Sequence, residues 1–135
     1  MPETHVIQLE IPSLPEYITV AREALEAIAS RTDLTQEQTD DLKLALGEAC
    51  SNAVKFSREN SVIRVVYAIK PGSVEIQVQN RGETFSREKW RPVRPSTERL
   101  SEGGIGMYLI EQLTDELSIQ SRRGVTTVRM VKYRT

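Results

Sequence analysis

The stretch from Thr35 to Phe56 restricts the fold more than any other, because it reads as one long helix with two unlike faces. Leu42, Ala45, Leu46, Ala49 and Ala53 recur at helical spacing and form an apolar stripe that needs a core to lie on. At about 100° per residue, Glu48, Asn52 and Lys55 fall in a second stripe roughly 60° wide. A carboxylate, a carboxamide and an amine thus stand along one line of a helix whose back is anchored. The carboxylate can take a proton, the amide oxygen can bind a hard cation, and the amine can meet a phosphate. An ordinary solvated face with an ion pair looks the same, so this stretch alone leaves both readings open. Cys50 lies close to the apolar stripe and reads as core.

The flanking segments tell the helix what it packs on. His5 to Ile11 alternates, with Ile7, Leu9 and Ile11 on one face, as a half-buried strand does. Ser13 and Glu16 are spaced as a capping box with Pro15 in the first turn, and Ile18, Ala21, Leu25 and Ile28 mark the buried face of a first helix ending near Ser30. Thr35 and Gln38 are spaced as a second capping box that opens the long helix. Segments 61–69 and 74–78 alternate on either side of Pro71-Gly72 and form a hairpin. Ser86 to Glu102 has no period and carries Pro92, Pro95 and several arginines, a loop long enough to expect a functional role. Helical spacing resumes from Ile105 to Leu113, and 117–121 and 125–133 form a last hairpin around Arg122-Arg123-Gly124. The order of elements favours an α+β fold, a two-layer sandwich of helices on a mixed, mostly antiparallel sheet.

The 135 residues suit one domain with a real core, spanning 1–135. A net charge of −1 gives no electrostatic case for nucleic acid or an anionic membrane. No apolar run approaches the ~20 residues of a membrane span, and no signal peptide is visible, so a cytoplasmic protein is expected. A single cysteine and a single histidine make a disulfide, a zinc cluster or a histidine-based triad poor expectations.

Two further stretches carry chemistry. Three of the seven glycines, Gly103, Gly104 and Gly106, fall where the late helix begins. Glycines there permit close approach of a ligand, and the free N–H groups of a helix start suit phosphate, although a plain hinge into the helix reads equally well. Gln79-Asn80-Arg81-Gly82 ends a strand, where a polar side chain before a glycine can meet a base edge or simply make a turn.

Taken together and in this order, the three stretches resemble the GHKL ATP-binding superfamily, and within it the serine-protein kinase anti-sigma factors of bacteria. Glu48-Ala-Cys-Ser-Asn52-Ala-Val-Lys55 looks like the N-box, Asn80-Arg-Gly82-Glu-Thr-Phe85 like the first glycine box, and Glu102-Gly-Gly-Ile-Gly-Met-Tyr-Leu-Ile110 like the second. Gly124-Val125-Thr126 looks like the late Gly-Thr element. The resemblance covers essentially the whole chain. It implies the Bergerat, or histidine-kinase-like ATPase, fold, with ATP and Mg²⁺ as cofactors. Asn52 would bind the metal, Glu48 would act as general base, and Lys55 would contact phosphate. The backbone around Gly103, Gly104, Ile105, Gly106 and Met107 would cradle the phosphates, while Asn80, Gly82 and Thr126 would lie near the adenine. The loop at about 86–102 would be the lid, with Arg99 or another arginine meeting the terminal phosphate.

The resemblance also implies partners: an anti-anti-sigma protein of the STAS type whose serine is phosphorylated, a sigma factor that is sequestered, and a homodimer to which the strand His5–Ile11 contributes. Asn80 departs from the family pattern, which has Asp accepting from the adenine amino group. A neutral carboxamide gives up a charge-assisted bond worth about 1–2 kcal/mol beyond a neutral one, so weaker ATP binding or an altered nucleotide preference is expected. The alternative reading is a non-catalytic or weakly nucleotide-binding partner-binding module in the same kind of switching pathway. The start at Met1 and the end soon after the last strand favour either over the ATPase domain of a sensor kinase.

Overall fold

The computed structural model describes residues 3–81 and 104–134. Strand β1 (His5–Pro12) leads through a short 3-10 turn into helix α1 (Ile18–Ala29), followed by the long helix α2 (Gln36–Phe56). Strands β2 (Val62–Lys70) and β3 (Ser73–Arg81) form the first hairpin, and helix α3 (Gly104–Leu113) precedes β4 (Glu116–Arg122) and β5 (Val125–Tyr133). The five strands make one sheet in the order β1-β2-β3-β5-β4. Among the described residues every pairing is antiparallel, in keeping with the mostly antiparallel sheet expected from the sequence.

Each strand alternates between a helix-covered face and an open one. Ile11, Ile63, Asn80, Thr126 and Ser121 form one row of the covered face, and Leu9, Val65, Val78, Val128 and Ile119 form the next. The second row is wholly apolar; the first turns polar at Asn80. Against this face lie Leu42, Ala45, Leu46, Ala49 and Ala53 of α2, all of them buried, together with Ala21, Leu25 and Ile28 of α1 and Met107 and Ile110 of α3. The Tyr67 hydroxyl, deep in the core, donates to the Ala21 carbonyl at 2.7 Å and ties the sheet to α1.

The start of α2 matches its sequence signature. Gln38 N–H donates to Thr35 Oγ1 at 3.1 Å, and Thr35 N–H donates to Gln38 Oε1 at 3.0 Å, which satisfies two otherwise orphaned donors. The box expected at Ser13 does not form. Leu14 stands at the cap with no side-chain hydrogen bond, and Ser13 Oγ is buried without a partner. Its backbone N–H is instead taken by the Ser61 carbonyl at 3.0 Å, so the corner is held by the neighbouring strand end rather than by the hydroxyl. The last hairpin turns at Arg123 (φ 50°) and Gly124 (φ 76°), two consecutive left-handed residues of the kind that match strand twist in a two-residue turn.

The direction of α2 positions everything that follows. Near its start, Gln38 Nε2 donates to the Tyr133 carbonyl at 3.0 Å and Asp41 pairs with Lys132 at 3.3 Å. Beyond its end, Arg58 N–H donates to the Arg81 carbonyl at 3.0 Å. The helix therefore runs along β3, and its later half lies over the end of the sheet that carries Asn80 and Thr126.

Leu46 is fully buried at the centre of this arrangement. Truncation in Leu46→Ala is expected to lower unfolding free energy by about 2–5 kcal/mol, measured by denaturant titration with an unchanged m-value. Burial pushes the Cys50 thiol up to about 12, so it is expected to resist alkylation at pH 8 in the native protein and to react once denatured, as followed by mass spectrometry.

Candidate functional site

At the polar end of the covered face, three elements converge on a small set of side chains. Helix α2 supplies Glu48, half-buried, and Asn52, only 8% exposed. They stand one turn apart on the side of the helix that meets α3. Helix α3 supplies Gly106. A Cβ built on Gly106 would lie 3.0 Å from Glu48 Oε2 and 3.3 Å from Asn52 Nδ2. Any other residue there would press on the carboxylate and the carboxamide together. The glycine thus keeps clear the space that these two side-chain ends occupy beside α3.

The sheet supplies Asn80 and Thr126, paired across β3 and β5 and each 2% exposed. Thr126 Oγ1 lies 3.3 Å from Ser121 Oγ on β4. Asn52 Nδ2 and Asn80 Nδ2 are both buried without a hydrogen-bond partner. An unpaired buried amide costs about 1–3 kcal/mol, so two of them in one region point to acceptors from beyond the described residues. That observation fits a polyphosphorylated ligand, which is rich in acceptors. Among the described residues no group of three or more His, Cys, Asp or Glu side chains gathers around a point. Asn52 would offer a cation a single amide oxygen, a donor set suited to Mg²⁺ that keeps waters and phosphate oxygens as its other ligands.

Not every candidate joins this group. Lys55 is exposed, with its ammonium 5.4 Å from the centroid of the Phe56 ring. Met107 is fully buried in the core, so its side chain packs and only its backbone is free for another role. Gly104 begins α3; the side chain of Ile105, together with Gly82, Gly103, Arg99 and the loop 86–102, lies outside the described residues. The sequence reading passed over Ser121, which engages the Thr126 hydroxyl. Its signal was available: Leu117, Ile119 and Ser121 alternate onto one face, and the last of them is polar.

The family model for the histidine kinase-like ATPase domain matches residues 11–132. The serine-protein kinase RsbW of Bacillus velezensis is 39% identical over 94% of this chain and 84% of its own length. The protein of the same name from Listeria monocytogenes is 35% identical over 94% of this chain and 86% of its own. Among solved structures, the RsbU and RsbW domains of a Mycobacterium tuberculosis protein superpose with a TM-score of 0.70 at 19% identity, covering 95% of this chain and 32% of that one. The catalytic domain of histidine kinase ThkA superposes with a TM-score of 0.58 at 15% identity, covering 96% and 97%. The chain belongs to the histidine kinase-like ATPase family, in the branch of the RsbW serine-protein kinases.

Gly106 has no positive φ, so alanine suits the helix backbone there and gains up to about 1 kcal/mol of propensity. Gly106→Ala is therefore expected to keep the melting temperature while displacing Glu48 and Asn52. The measurable result is nucleotide affinity reduced about tenfold or more in calorimetry, with a native circular dichroism spectrum.

Proposed function

We propose that this protein is an anti-sigma factor with ATP-dependent serine-protein kinase activity, acting in the cytoplasm as a single domain over residues 1–135. Relatives 35% and 39% identical to this chain are named serine-protein kinases, which supports the reaction. The observation that carries the reading is the space kept clear at Gly106 beside a carboxylate and a carboxamide, with two amide donors left unpaired.

In this reading Glu48 accepts the proton of the incoming serine hydroxyl. The serine oxygen then forms its bond to the γ-phosphorus of ATP, and the bond from that phosphorus to the β–γ bridging oxygen breaks, leaving ADP. Asn52 would hold Mg²⁺ through its side-chain oxygen, and the ion would supply neutralising charge for the phosphates. Backbone N–H groups at the start of α3, from Gly103 to Met107, cradle the phosphates. Lys55 swings from its exposed position to meet phosphate. Asn80, Gly82 and Thr126 receive the base, and the loop 86–102 closes over it. Because phosphoryl transfer rests mainly on positioning and charge neutralisation, so small a set of groups suffices.

The phosphorylated partner in this reading is an anti-anti-sigma protein of the STAS type, and the captured partner is a sigma factor. A homodimer through the free edge of β1 is part of the same proposal. Val6 and Ile7 are 54% and 44% exposed on that edge, beside a cavity of about 560 Å³ between β1 and α1 that Ile28 and Ile69 also line. An exposed apolar strand edge favours pairing with another chain. The clearance at Gly106 supports a bound ligand, and the serine-protein kinase names of the relatives favour the enzyme over a non-catalytic module.

Replacing the base tests the assignment. Glu48→Gln keeps the shape of the side chain and removes its proton affinity. Transfer of labelled γ-phosphate to a STAS-type substrate is expected to fall by about 10²–10⁴, while ATP affinity by calorimetry stays within a few-fold. Unchanged transfer in the variant would remove Glu48 from the chemistry.

A further inference from the structure

We infer that Asn80 makes the base pocket ambivalent, so that the protein takes a 6-oxopurine triphosphate as well as ATP. The inference rests on the reading of this pocket as a nucleotide site and names which bases it admits. Asn80 is 2% exposed, and its Nδ2 has no hydrogen-bond partner. Among the described residues its neighbours in the sheet supply none. Ile63 on β2 is apolar, Val78 precedes it on the same face, and the Thr126 hydroxyl on β5 turns to Ser121 at 3.3 Å. The group at the polar end of the sheet is thus a carboxamide with a donor that awaits an acceptor.

A carboxamide presents an acceptor and a donor side by side, and rotation by half a turn exchanges them. Facing the 6-position of a purine, Asn80 Oδ1 accepts from the 6-amino group of adenine. After the half turn, Nδ2 donates to O6 of hypoxanthine. One matched hydrogen bond forms at the 6-position with either base. A carboxylate facing the 6-position only accepts, so it would match the 6-amino group and repel O6. Discrimination between the two bases is therefore a property of the side-chain type at position 80, and the asparagine gives most of it up.

The test compares ATP with inosine triphosphate, whose base differs only in the 6-substituent and the N1 proton that goes with it. Titration calorimetry of the full chain with Mg²⁺ measures both affinities in the native protein and in Asn80→Asp. In the native protein the two affinities are expected to lie within tenfold of each other. In Asn80→Asp the ratio is expected to move toward ATP by about tenfold or more, the size of one matched against one mismatched base contact. A native preference for ATP greater than tenfold, or a ratio that Asn80→Asp leaves unmoved, overturns the inference while the nucleotide site stands. Heat from neither nucleotide overturns the site and the inference together. Should the aspartate variant lose its fold, the native ratio alone decides.

Discussion

The close passage of α3 over α2 at Gly106 is the contact on which the site depends. Helix α2 is a two-sided element. One side supplies the floor of the core, and the adjoining side carries Glu48 and Asn52 toward α3. The glycine leaves room at the carboxylate and the carboxamide where the two helices pass, room that a single methyl group would take.

The anchoring of α2 gives that contact its precision. The Thr35–Gln38 box fixes its start, Gln38 and Asp41 fasten it to the end of β5, and Arg58 joins the chain beyond it to the end of β3. The open face of the sheet is stiffened separately. Glu75, nearly buried among the strands, is shared by Lys70 and Arg129, and Arg129 also reaches Glu116. These pairs cross from β2 through β3 and β5 to β4, and opposite charges set across strands favour one register over its slips. The Tyr133 hydroxyl beside Glu116 holds that carboxyl below its ordinary range and completes the chain of contacts at the sheet edge.

Much of this was legible from local rules, because local chemistry decides it. Alternating residues gave both hairpins, and the glycine at 124 marked the last turn, whose left-handed angles favour it. The Thr35 box was readable because no other group competes for its donors. Ser13 shows the reverse: the same spacing failed because the Ser61 carbonyl, forty-eight positions away in sequence, claimed the backbone first. Lys55 lies on the same helical line as Glu48 and Asn52 yet stands in solvent, since a shared azimuth says nothing about where the neighbouring helix stops. The distance from Gly106 to Asn52 belongs to the packing of two helices and is written in neither of them alone.

One consequence concerns motion. Glu48 and Asn52 ride on a helix whose other side is sealed beneath Leu42, Leu46 and Ala49 against the sheet. Amides in so buried a segment are of the kind that exchange with solvent through global opening rather than local fraying. Adjustment on this side of the helix is left to the side chains themselves, so the backbone beneath Glu48 and Asn52 stands as the stationary jaw of a vice.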